Sequence, residues 1–273
     1  MSAPLGLAAL TVLDTPPLDQ IALAEKCGYD TVGLRLLPAV PGTTAYPLHT
    51  DADRLREVKA RLADSPVRVF DVEIVRIDAD FDVDRYAGFL EASAELGARA
   101  VLIGGDDRDL TRLSDSYASF AAACAPYGLA ASLEFMPWTA VPDARTAMAV
   151  LSQADGPARS MLVDTLHAAR SATTLADLRA IPADWIHYTQ LCDGLVPAPP
   201  SDAELIRDAR EHRLAPGEGG IGLAEIYACL PTDTPISIEL PNEPQRRAMG
   251  TEAWLAHLAR SARAVVGGEH QAA

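Results

Sequence analysis

Short apolar runs rich in valine, isoleucine and leucine alternate along the chain with longer, alanine-rich segments whose apolar positions recur at the helical period. That alternation is the pattern of repeated βα units around a parallel sheet. Eight strand–helix pairs are counted, with strands expected at LAALTVL, TVGLRLL, VRVFDVEIVRI, AVLIGG, ASLEFM, SMLVDTL, IHYTQLCD and PISIEL. Helical stretches between them include LDQIALAEKCG, DADRLREVKARLAD, DVDRYAGFLEASAELG and SDAELIRDAREHR, and the last is TEAWLAHLARSARAVV. Gly28, Gly97 and Gly128 each close a helix just before a strand, where a left-handed C-cap is expected. Eight units without a low-complexity linker favour one closed (β/α)8 TIM barrel over residues 1–267. A doubly wound sheet uses fewer strands and a glycine-rich first turn. Residues 268–273, the last six of GGEHQAA, are expected to form a flexible tail.

Composition narrows the partners. The chain has 273 residues, 49% hydrophobic and 22% charged, ordinary for a soluble protein with a sizeable core. Its 38 acidic and 23 basic side chains give a formal charge of −15, a field that repels phosphate backbones and anionic membranes. Nucleic acid and membrane are therefore excluded as expected partners, and a small-molecule substrate is left. The four cysteines show no Cys-x-x-Cys pair, and with no signal-peptide pattern or spanning segment they point to reduced thiols in a cytoplasmic protein.

Against this background SLEFMPW stands out, because Glu134 lies inside an apolar strand. An ionised carboxylate is almost never buried unless it is paired or ligated. The following strands each carry one polar residue at the C-terminal end, Asp164, Gln190 and Glu239. Four inward oxygen ligands at one level on neighbouring strands, about 4.8 Å apart, can converge on one divalent cation. Three carboxylates and an amide form a hard, oxygen-only set that suits Mn²⁺ or Mg²⁺, with Co²⁺ and Zn²⁺ as alternatives. In a barrel the C-terminal strand ends carry the site. That places His167, Arg35, Glu73, Arg76 and Arg170 at or just past the same end, and Trp138 as a pocket wall. The long loops PAVPGTTAYPLHT, with His49, and GLVPAPP are candidate lids. His187 has the opposite strand parity from Gln190 and should face the helices. Gly217, Gly219 and Gly222 fit a dinucleotide-binding spacing, but follow a charged helix late in the chain, so a tight turn presenting Glu218 near the site is expected instead.

The motifs SLEF, LVDTLH, YTQLCDG, RLAPGEGGIGL and SIEL resemble the successive strand-end motifs of the xylose isomerase-like TIM-barrel superfamily, over essentially the whole chain. The resemblance implies Glu134, Asp164, Gln190 and Glu239 as metal ligands and His167 as the histidine after the aspartate. It implies Arg213, before the Pro-Gly turn, as a substrate-binding residue. It further implies that Glu134 and Glu239 act as an acid/base pair on opposite faces of the substrate, and that the protein is a homodimer. Gln190 stands where many ketose epimerases have histidine and is similar to the 3-dehydroshikimate dehydratases. Met136 and Thr189 depart from those dehydratases, which tend to carry histidine and lysine there, and Gly33 replaces an acid common in epimerases. The implied activity is a metal-dependent isomerase or epimerase acting on a small polyhydroxylated carbonyl compound through an enediolate. The alternatives are a lyase dehydrating a cyclic keto acid or keto-inositol, with His167 as acid, and an inactive sugar-binding barrel. An abasic-site endonuclease, which shares the fold, would need a histidine-rich zinc cluster and a cationic groove that this chain lacks.

Overall fold

The computed structural model describes residues 3–267. Its eight strands are β1 (Leu5–Leu7), β2 (Thr31–Arg35), β3 (Arg68–Ile77), β4 (Ala100–Gly105), β5 (Ala130–Glu134), β6 (Arg159–Asp164), β7 (Ile186–Leu191) and β8 (Ile236–Ile238). They pair in sequence order and close β8 onto β1, all parallel, into a (β/α)8 barrel. The helices are α1 (Pro17–Cys27), α2 (Ala52–Ala63), α3 (Ala87–Glu95), α4 (Leu110–Cys124), α5 (Ala144–Leu151), α6 (Thr165–Arg170), α7 (Leu175–Ala180), α8 (Asp202–Glu211), α9 (Leu223–Tyr227), α10 (Glu243–Met249) and α11 (Thr251–Val266). The expected tail falls outside the described residues. Among those described, no helix is long and apolar enough to cross a membrane, and the four cysteines are free thiols.

The apolar alternation has a simple cause. One face of each strand packs against helices, and Val32, Val72, Val101, Leu133, Val163 and Ile238 join Phe120, Leu151 and Trp254 in the main core. The other face fills the barrel with a smaller set, Ile74, Ala100, Leu102, Ala130, Leu162 and Tyr188. Helix ends match local chemistry. Asp51, Asp109, Asp143 and Ser201 cap α2, α4, α5 and α8 by accepting backbone N–H groups, and Gly28, Gly97 and Gly128 take positive φ as expected.

Two expectations need correction. The first strand is Leu5–Leu7, and Ala9–Val12 within LAALTVL form a 3-10 turn, which carries Leu10 and Leu13 to the barrel mouth. The ligand candidates also do not lie at one level. Glu134 pairs in register with Leu162, two residues before Asp164. Asp164 pairs with Gln190, and Gln190 with Ser237, two residues before Glu239. This stagger is the shear a closed barrel requires, and the longer glutamate side chains at its two ends span it.

Candidate active site

Asp164 is the last residue of β6 and the N-cap of α6, its Oδ1 accepting from the His167 backbone N–H at 2.9 Å. The cap fixes His167 one turn into the helix, and its Nε2 lies 3.6 Å from Glu134 Oε1. Trp138 stands edge-on to the His167 ring, centroids 5.1 Å apart. On the other side, Gln190 Nε2 donates to Glu239 Oε1 at 2.9 Å. Arg213 links the two halves, with Nη1 2.5 Å from Asp164 Oδ2 and Nη2 2.8 Å from Glu239 Oε2. Of these seven side chains all but Trp138 are buried.

Arg213 is held by the chain around it. Its Nε donates to Ala209 O, and Asn242 Nδ2 donates to its carbonyl. Leu214 pairs with Asp193 in an isolated antiparallel bridge. The Asp193 carboxylate then accepts from Gly194, Gly217 and Ile221 N–H at 2.8, 3.1 and 3.3 Å, so the glycine-rich stretch is a turn wrapped on a buried carboxylate. Asp193 carried no sequence signal beyond its place after a strand.

Burial dominates the electrostatics. It drives the Glu134 carboxyl well above the ordinary carboxylate range, with the charges of Glu239 and Asp164 adding to the effect. Burial likewise pushes Glu239 up to about 7, outweighing Arg213. For Asp164 burial acts upward too, but Arg213 and His167 together bring it below its ordinary value. Burial, with Arg213 adding, lowers His167 to about 4, so it is neutral over the physiological range.

A divalent cation fits these residues. Glu134, Asp164 and His167 each offer a ligand atom within 4.8 Å of the others. Glu134 Oε1, Gln190 Oε1 and His167 Nδ1 are buried with no hydrogen-bond partner among the described residues. Such orphaned acceptors are costly unless something fills the space between them. The histidine is thus nearer to Glu134 and Asp164 than the pattern of strand ends suggests, while both Glu239 oxygens are engaged by Gln190 and Arg213.

The site opens into a cavity of about 170 Å³ lined by Arg35, Arg76, Glu134, Met136, Trp138, His167, Arg210, Arg213 and Glu239. Arg35 is paired with Glu73 at 2.6 Å, both buried. Three sequence candidates lie elsewhere. Arg170 turns away from the cavity, its Nε donating to Asp208 and its Nη2 to Leu195 O. Glu218 pairs with His257, and His49 packs edge-on to Phe89. Asp71 escaped the sequence reading. It is buried beside Gly33, where a Cβ would sit 2.8 Å from Asp71 Oδ1, so a carboxylate from β3 occupies the room that a side chain on β2 would take. The signal was Asp71 two residues before Glu73 in an otherwise apolar strand. A larger hollow of about 650 Å³ at the opposite barrel face, lined by Leu5, Asp30, Tyr227 and Arg263, holds no ligand cluster among the described residues.

The chain belongs to the xylose isomerase-like TIM barrel family, whose model matches residues 21–264. No curated protein sequence matches it. Among solved structures it is similar to the IOLI protein with a binding zinc atom, at 17% identity and TM-score 0.80, covering 98% of this chain and 99% of that one. It is also similar to the probable 3-DHS dehydratase AsbF of Bacillus anthracis, at 13% identity and TM-score 0.70 over 96% and 98% of the two chains. A third is D-psicose 3-epimerase in the presence of D-fructose, at 11% identity and TM-score 0.73 over 97% and 100%. At these identities the likeness is one of fold.

Proposed function

We propose that the protein is a divalent-metal-dependent isomerase or epimerase of a small polyhydroxylated carbonyl compound, acting through an enediolate. The observation that carries this is the placement of Glu134 and Glu239. These two buried carboxylates of raised proton affinity enter one cavity from strands three apart around the barrel. A base poised near neutrality can take the proton alpha to a carbonyl, and a second acid on the opposite face can return one. Glu134, Asp164 and His167, with Gln190 and Glu239 beside them, would hold the cation, which would supply positive charge next to the carbonyl oxygen as negative charge develops there. Arg213 keeps Asp164 ionised, and Trp138 and Met136 exclude water from the reacting carbon. An epimerase and a probable dehydratase among the structural neighbours suit this chemistry. The lyase reading needs a proton for the departing beta hydroxyl, and the Glu134 carboxyl, whose proton affinity burial raises, is the group in the cavity that could supply it.

The test is proton NMR of Mg²⁺-loaded protein in D₂O with a panel of ketoses, inososes and 3-dehydroshikimate. Deuterium appearing alpha to the carbonyl with all hydroxyls retained is the expected outcome, and it should vanish in Glu239→Gln. Loss of water would establish the lyase, and an unchanged exchange rate in the variant would remove Glu239 from the reaction.

A further inference from the structure

Resting on that reading of the site, we propose that the substrate carries a carboxylate, bound by Arg76 and Arg35 on the β2–β3 wall of the cavity with Arg210 at its mouth. Arg76 lies flat across Gly104 of β4, where a Cβ would stand 2.8 Å from its Cζ and 3.1 Å from its Nε. Only a glycine there admits the guanidinium into the cavity. Asp106 then takes Nε at 2.6 Å and Nη2, and Nη1, the atom over Gly104, makes no hydrogen bond among the described residues. Arg35 repeats the arrangement one strand away. There a single oxygen, Glu73 Oε2, takes Nε at 2.8 Å and Nη2 at 2.6 Å, and Nη1 makes no hydrogen bond among the described residues. Each guanidinium is thus fixed along one edge by a carboxylate and offers a donor to the same space. Arg210, at the C-terminal end of α8, is exposed and makes no ion pair among the described residues, in a chain of net charge −15.

Arginine only donates and is always charged. A wall of such donors suits an anion, while the cavity's carboxylates, Glu134 and Glu239, come from the ends of β5 and β8. The β2–β3 wall lies across the barrel from β6 and β7, so a carboxylate there leaves the far end of the molecule toward Asp164 and Gln190. The cavity volume, about 170 Å³, is close to the ~150 Å³ that accommodates benzene. That is room for a small ligand.

The decisive comparison uses three matched six-carbon ketones, 5-keto-D-gluconate, D-fructose and D-fructose 6-phosphate, titrated calorimetrically into the Mg²⁺-loaded protein. The keto acid should bind at least tenfold more tightly than D-fructose, and both Arg76→Gln and Arg210→Gln should lower that ratio of affinities to within about twofold of one. Equal binding of the three, no binding of any, preference for the phosphate ester, or a preference that survives both substitutions would overturn the proposal. Carboxylate preference without deuterium exchange would sink the isomerase reading and leave this inference standing. Exchange with D-fructose and no carboxylate preference would do the reverse.

Discussion

His167 and Glu239 sit in the same buried cluster and respond to it in opposite ways, because burial penalises whichever form is charged. His167 falls from 6.5 to about 4, so its contribution to stability is present above pH 6.5 and lost as pH drops through 4. Glu239 rises from 4.5 to about 7, so its contribution is present below pH 4.5 and lost as pH climbs through 7. Each spans about two and a half units, on the order of 3 kcal/mol at about 1.4 kcal/mol per unit. In metal-free wild-type protein the two act in opposite senses between those limits, and the raised carboxyls of Glu134 and Asp71 act in the same sense as Glu239. His167→Gln should expose the glutamate, giving a melting temperature that falls as pH rises from about 4.5 to 7. Glu239→Gln should change the profile the other way, with a melting temperature that, relative to wild type, gains as pH rises from about 4.5 to 7. Surface carboxylates titrate alike in both variants, so parallel melting curves against pH would show that neither side chain is shifted as the geometry demands.

The glycine-rich turn after α8 shows what an element can owe to one side chain. The three backbone N–H groups that Asp193 satisfies have no other partner, and the bridge from Asp193 to Leu214 sets the chain on either side of Arg213. Asp193→Ala should cost about 2–4 kcal/mol and open residues 214–222 to proteolysis. Unchanged protease resistance would show that the turn holds itself. Elements of this kind were only partly legible in the sequence. AVLIGG and TEAWLAHLARSARAVV coincide with β4 and α11, because an apolar run and an amphipathic period are local properties. The start of the chain differs from its expected strand, since Leu7–Leu13 is apolar but for Thr11 and apolarity does not separate a strand from a buried turn. Within β3 the register shifts between Val72 and Val75, which puts Glu73 and Ile74 both inside. Alternation cannot announce such a shift. The strand-end residues Glu134, Asp164, Gln190 and Glu239 were visible because polar residues interrupt apolar runs. Their stagger, and the Arg213 contacts 49 and 26 residues away, depend on closure of the barrel.

For the molecule as a whole, closing the barrel gathers buried acids that the core alone does not neutralise. Asp71 and Glu73 lie beside the metal candidates, and burial first, then the charges of Glu73 and Glu239, raise Asp71 well above the ordinary carboxylate range. Under the proposed function a cation would offset this cluster of acids, which links function to stability. Mg²⁺ or Mn²⁺ at 100 times its dissociation constant adds about 2.7 kcal/mol, or roughly 5–10 °C in melting temperature for a chain of this size. Glu134 separates this linkage from ordinary packing. Its Oε1 is buried and unpartnered, and its charge is disfavoured by burial. Glu134→Gln therefore removes a destabilising group from the metal-free protein and a ligand from the loaded one. The variant should melt at or above the wild-type temperature in EDTA and show no rise on adding metal, so that the two proteins exchange rank when the cation is present. A variant less stable than wild type under both conditions would make Glu134 a structural carboxylate. An undiminished metal-induced rise would move the cation away from β5.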